Sequence, residues 1–218
     1  AEEPGIVARA MYDRHGIMNL LETGYTEDGL WWENPSYQNV ANGVAYPVLA
    51  TAVHGGLIEW DRRISRIFKA SYKLYGPDGR GPTLGTGGPG GLGYTNNAVH
   101  SLAGHIKDPE LAWVAYNKDL WRAHSSWGKP YDSYTWALMW KSETAVPRQD
   151  ALSPVPDATT DFPDYGGIAL RVPGAENYCY LHYGRELVHG HRNKLSINAY
   201  AKGNWFVRNV MGGYGKHF

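Results

Sequence analysis

The hydrophobic period of this chain changes once, and that change limits what it can fold into. Before residue 145 the apolar residues recur at helical spacing, as in Trp60, Ile64, Ile67, Phe68, Tyr72 and Tyr75. That pattern predicts an amphipathic helix with Arg62, Arg63, Arg66 and Lys69 on its wet side. After residue 164 the period falls to two. Residues 168–172, 178–183, 194–202 and 205–207 read as strands, with Pro173-Gly174, Gly184 and Gly203-Asn204 turning the chain between them. Between the two regimes lie Pro147, Pro154, Pro156 and Pro163 and few periodic residues, a composition shift that marks a domain boundary. Helices followed by strands make an α+β protein, with residues 1–150 helical and 151–218 an antiparallel sheet.

Within the first part, Ile6, Val7, Ala10, Met11, Ile17, Leu20 and Leu21 predict one helix over 5–22, with Gly16 as its point of weakness. Residues 24–29 form a turn. Small residues alternate with valines and Leu49 from Gln38 to His54, a tightly packed helix containing Pro47. With the following helix it makes an antiparallel hairpin. Nine glycines crowd residues 76–93, but no Gly-Lys-Ser/Thr ends the run, so it is a connecting loop and not a phosphate cradle. Asp108-Pro109-Glu110 is a helix start, with a capping carboxylate, a first-turn proline and an acidic residue facing the dipole. Another short helix is expected around 134–140.

The 21 basic and 21 acidic residues cancel, which gives no reason to expect a nucleic-acid partner. No apolar run reaches the roughly 18 residues of a membrane span, and no signal peptide is visible at the start. Cys179 is the only cysteine, so no disulfide forms within the chain; between Tyr178 and Tyr180 it reads as a buried structural thiol. Nine tryptophans and sixteen tyrosines suit the flat faces of sugar rings, and equally an ordinary aromatic core.

The chemistry-bearing stretch is Val188-His189-Gly190-His191, which runs into Leu195, Ile197 and Ala199 alternating with Lys194, Ser196, Asn198 and Tyr200. On extended backbone, residues two apart point the same way. His189 and His191 can thus share a site, as an acid/base pair or as a catalytic group beside a metal ligand. They can also be two surface histidines at the entrance to a strand.

That stretch, with Lys194-Leu195-Ser196, Tyr200-Ala201-Lys202-Gly203 and Gly212-Gly213-Tyr214-Gly215, resembles the start of the β-sandwich domain of heparinase II/III-like polysaccharide lyases, a group that includes oligo-alginate lyases. Asp28-Gly29-Leu30-Trp31-Trp32-Glu33 and Tyr37 resemble a segment late in that family's helical toroid. The resemblance implies the last helical hairpins of an (α/α) toroid followed by the first strands of an incomplete antiparallel β-sandwich, the middle of a longer protein. It also implies β-elimination on an anionic, uronic-acid-containing polysaccharide such as alginate or a glycosaminoglycan, in a secreted or periplasmic bacterial setting. Missing segments of the same protein, or a homo-oligomer, would complete the site, and no membrane partner is implied.

Elimination removes the proton at C5, α to a carboxylate, and breaks the bond from C4 to the leaving oxygen. The enzyme must supply a base, an acid and a counter-charge. Tyrosine serves as acid or base when nearby positive charge lowers its pKa from about 10, and histidine titrates near neutrality. By the resemblance, Tyr37 and His189 are the catalytic pair, Trp31, Trp32 and Glu33 contact or organise substrate, and His191 and Asn209 occupy the positions of zinc ligands. The family carries Asp where this chain has Asn209, a neutral and poorer ligand. Gln38 stands where a histidine often follows the tyrosine. The same departures fit a second reading, a carbohydrate-binding relative without catalysis.

Overall fold

The computed structural model describes residues 4–33, 35–60, 62–84, 106–116, 146–153, 155–184 and 195–207. The expected helix near 134–140 and the glycine run beyond 84 lie outside these residues. Among the described residues five helices come first: α1 (Pro4–Tyr12), α2 (Ile17–Thr23), α3 (Pro35–His54), α4 (Arg62–Lys73) and α5 (Pro109–Tyr116). The single helix expected over 5–22 is two, because the chain turns through residues 13–16, where the Gly16 amide donates to the Asp13 carbonyl (2.7 Å). α5 begins where the sequence puts it. The Asp108 carboxylate accepts from the amides of Glu110 (3.0 Å) and Leu111 (3.3 Å), so its cap is formed.

A 3₁₀ turn (Arg148–Asp150) and five strands follow: β1 (Thr160–Phe162), β2 (Gly167–Arg171), β3 (Tyr178–His182), β4 (Ser196–Ala201) and β5 (Asn204–Val207). They form one antiparallel meander in the order β1-β2-β3-β4-β5. β1 falls inside the stretch that looked aperiodic; three residues are too few to show a period of two. The β4–β5 turn, Lys202-Gly203, has positive φ at both positions (49° and 76°), the geometry of a type I′ hairpin whose twist matches that of the strands.

α4 is the shared wall of two cores. Ile64, Ile67, Tyr72 and Tyr75 pack with Leu21, Tyr25, Ala45, Leu49 and Leu111 in the first. Ala70 and Leu74 pack with Leu30, Leu84, Phe162, Ala169, Tyr178, Tyr180 and Tyr200 in the second. Its basic residues are not all on a wet side. Lys69 is partly buried and bridges Asp108 (2.5 Å) and Glu110 (2.7 Å), tying α4 to the start of α5.

The sheet's sidedness reverses the alternation of its sequence. On β4 the polar Asn198 (0 % exposed) and Tyr200 (7 %) face the helices, while Ile197 (47 %) faces out. The inner face is paved by Tyr178, Tyr180, His182, Asn198 and Tyr200, whose rings fill the gap to α4. Asn198 is satisfied there, its Oδ1 accepting from the Thr83 amide (3.1 Å). The outer face carries Ile168, Leu181 and Ile197 in one row and Leu170, Cys179, Ala199 and Val207 in the next. Cys179 is therefore on this outer face and half-buried, not in the core.

At one end of the sheet, Arg171 and Tyr178 seize the C-terminus of α4. Arg171 Nη2 donates to the carbonyls of Lys73 (2.7 Å) and Tyr75 (2.9 Å), and the Tyr178 hydroxyl donates to the Leu74 carbonyl. The Lys73 carbonyl is among the acceptors a helix end leaves unpaired, Leu74 and Tyr75 follow directly as the chain leaves the helix, and a cation there also complements the dipole. Arg171→Met keeps the stem and removes the donors. It should cost about 2–4 kcal/mol, read as a lower midpoint in urea unfolding with unchanged slope.

Candidate functional site

The opposite end of the sheet holds the candidate site. Gly167, His182 and Ser196 stand side by side there across β2, β3 and β4. The connection that carries His189 and His191 leaves after His182 and returns at Ser196. His189, His191 and Asn209 themselves lie outside the described residues. The β1–β2 turn, residues 163–166, is at the same end because Phe162 pairs with Gly167.

Onto this end folds the segment containing Trp31, Trp32 and Glu33. It is a small hairpin: the Thr26 amide donates to the Leu30 carbonyl (2.8 Å), the Trp32 amide to the Gly24 carbonyl (3.2 Å), and Tyr25 bridges to Trp31. The Trp31 ring stands edge-on to Tyr25 (5.1 Å between centroids) and its Nε1 donates to the Glu33 carboxylate (3.2 Å). Trp31 is thus half-buried and engaged, Glu33 organises the tryptophan, and Trp32 is the indole exposed to solvent. Tyr37 follows in the first turn of α3 and is half-buried.

Gln38, which the sequence shows only as a departure from the family pattern, is completely buried and makes three hydrogen bonds. Its Nε2 donates to the carbonyls of Gly29 (3.0 Å) and Ile67 (2.9 Å), and its Oε1 accepts from the Trp31 amide (3.1 Å). The residue beside Tyr37 therefore clamps the tryptophan hairpin to both α3 and α4. Tyr25 adds a second clip, donating to Asn42 Oδ1 (2.7 Å).

Asp28, at the tip of the hairpin, reaches the sheet. Its Oδ2 accepts from the amides of Asp164 (2.8 Å) and Tyr165 (2.9 Å), and Asp164 Oδ2 accepts from the Glu27 amide (2.7 Å) in return. The next residue, Gly166, accepts at its carbonyl from Tyr183 (2.8 Å) and Gly184 (2.7 Å), the first two residues of the His189 connection. Gly166 has φ +79°, and a Cβ there would lie 2.1 Å from Gly184 Cα, so only paired glycines allow this crossing. Neither Asp28 nor Gln38 is marked by any periodicity. An Asp-Gly turn before two tryptophans was the one available hint.

Around these residues the pKa values run in one direction. Burial pushes the Tyr165 and Tyr180 phenols well above 10, and Tyr25 and Tyr178 likewise. The hydrogen bond from exposed Tyr183 to Asp161 (2.8 Å) raises its phenol to about 12. None of these is a base near neutrality. Among the described residues no group of three or more His, Cys, Asp or Glu could hold a metal, and no helix is long and apolar enough to cross a membrane.

No family model matches the chain, and no curated protein does either.

Two substitutions separate the structural roles. Gln38→Ala takes the side-chain partner from the Gly29 carbonyl and the Trp31 amide in a buried place and should cost about 1–3 kcal/mol in thermal or urea unfolding. Tyr180→Phe removes a buried hydroxyl that has no hydrogen-bond partner among the described residues, so stability should change by less than about 1 kcal/mol, or rise. An alkaline transition is also expected. Above pH 10, tyrosines ionise when unfolded but stay protonated in the fold, so the unfolded state binds fewer protons and stability falls as pH rises. Phenolate absorbance followed through a pH titration should show these tyrosines ionising only as the fold is lost.

Proposed function

We propose that the chain carries part of the catalytic apparatus of a polysaccharide lyase that cleaves a uronic-acid-containing polyanion by β-elimination. The observation that favours this reading is the clamping of the Trp31–Glu33 hairpin, which leads into Tyr37, onto the sheet end where the His189 connection begins and returns. The hairpin precedes a residue able to supply a phenol, and the connection that leaves the same sheet end carries one able to supply an imidazole.

In the proposed reaction, one of the pair takes the C5 proton. The C–H electrons become the C4–C5 double bond, the C4–O bond breaks, and the other delivers a proton to the leaving oxygen. The exposed Trp32 offers a surface to a sugar ring. Zinc stands one step removed. His191 and Asn209 would supply two of the about four donors that zinc takes, one of them a neutral amide, and a zinc there would play a structural part while Tyr37 and His189 carry the elimination.

The outer face supports the β-sandwich part of this reading. Leu170 (41 % exposed) and Ile197 (47 %) stand in apolar rows on a sheet whose other face is already covered, the pattern of a sheet that packs against a second sheet. On the same reading α1 to α5 belong to an (α/α) toroid, and the setting is secreted or periplasmic, where such polymers occur.

With a polyuronate as substrate, Tyr37→Phe and His189→Ala should each lower formation of the unsaturated product by about a hundredfold or more, measured as ultraviolet absorbance, with the melting temperature held. Binding of polyuronate by the wild-type chain with no rise in absorbance would replace the lyase by a carbohydrate-binding relative.

A further inference from the structure

We propose that the cleft beside the C-terminus of α4 binds a small organic cation, an alkylammonium ion of the polyamine type. The cleft is at the end of the sheet opposite the candidate site, where β2 finishes at Arg171 and β3 begins at Tyr178. It measures about 700 Å³, within the range of pockets that take small molecules. Three stretches wall it: the turn that follows α4 (76–79), the segment before β1 (153–157) and the β2–β3 connection (172–177). Trp113 of α5 lines it from the helical side.

The lining offers two kinds of surface. Trp113, Val155, Pro156 and Val172 present apolar area that suits methylene groups. Asp78, Asp157 and Glu176 add carboxylates. The one cation among the described lining residues, Arg171, does not answer them, because its guanidinium donates to the carbonyls of Lys73 and Tyr75 and lies over the Tyr178 ring. Asp78 is held in place before any ligand arrives. Its Oδ2 accepts from Trp205 Nε1 (2.8 Å) and its Oδ1 from the Arg80 amide (3.1 Å), while the Arg80 guanidinium, 3.9 Å away, offsets part of its charge. Asp78 and Glu176 also act on one neighbour in common: the Tyr200 phenol, raised first by burial, is pushed further up by both and lowered by Arg80.

Carboxylates set around an apolar lining select the sign of a ligand's charge before its shape. The ammonium groups of an alkyl polyamine meet the carboxylates while its stem lies on the valines and the proline, and an indole adds attraction for a cation over its face. A uronate polymer carries the opposite charge, so this cleft is no extension of the proposed substrate site. The chain as a whole has no net charge, which makes a preference for cations here a local property.

The test is isothermal titration calorimetry with spermidine at low ionic strength. Wild type should bind it saturably, with a Kd at or below about 1 mM. The double variant Asp157→Asn/Glu176→Gln should bind at least about tenfold more weakly. Both side chains are exposed, so the fold should persist, and an unchanged melting temperature without ligand checks that. If the double variant does not fold, each single variant should weaken binding about threefold. Glu59→Gln removes an exposed carboxylate ahead of the first turn of α4, away from the cleft, and should leave the affinity within about twofold of wild type. 1,5-Pentanediol, a methylene stem without charge, should give no measurable binding. Absence of saturable spermidine binding would overturn the proposal, as would an affinity unchanged by the cleft substitutions. An equal loss in Glu59→Gln would reduce the effect to general charge attraction and overturn it too, and binding of the diol as tight as that of spermidine would remove the carboxylates from the recognition.

Discussion

The C-terminus of α4 is the fixed point of this structure. The carbonyls of its last residue, Lys73, and of the two that follow, Leu74 and Tyr75, are taken by Arg171 and Tyr178, side chains that face each other across β2 and β3. Arg171 also lies over the Tyr178 ring, 5.1 Å from its centre, so cation and hydroxyl are held as a unit. A helix end and a sheet end each carry polar groups that burial would leave unsatisfied, and here each satisfies the other. This junction sets where the sheet sits on the helix, and the aromatic inner face fills in along it.

The geometry then carries to the other end. From Arg66, beside the tryptophan hairpin, to Lys73 the helix rises about 10 Å, and β3 from Tyr178 to His182 covers about 13 Å. Helix and strand are bonded at one end through Arg171. At the other, Gly29 packs on Arg66 and Ala70, and Arg66 pairs with Glu27 (3.2 Å). Asp28 closes the frame by taking the β1–β2 turn. Trp31 and Glu33 stand on the hairpin of this second junction.

The inner face of the sheet is unusual in being lined with tyrosine, histidine and asparagine. Such side chains suit a layer that must reach across to a helix while its polar tips find partners, as Tyr178 does on Leu74 and Asn198 on Thr83. Where the tips find none, as at Tyr165, Tyr180 and Ser196 among the described residues, the hydroxyls gather at the end near the His189 connection. Gly167 leaves room for this crowding: a Cβ there would meet the Tyr180 hydroxyl at 1.9 Å.

The sequence by itself determined the element types and their order. Helical spacing placed α4 and the Asp108 cap of α5, and period-two alternation with Gly and Asn turns placed β2 to β5, because these signals are local. It also singled out Trp31, Glu33 and Tyr37 as one stretch. It could not show β1, three residues long, nor which face of β4 is inward, because alternation fixes two faces without saying which one a helix covers. Only the tertiary structure decided that Asn198 and Tyr200 point in and Ile197 out. Only it made Gln38 a buried clamp and Asp28 a link across more than a hundred residues, since a hydrogen bond between a side chain and a distant backbone leaves no periodic trace in the sequence.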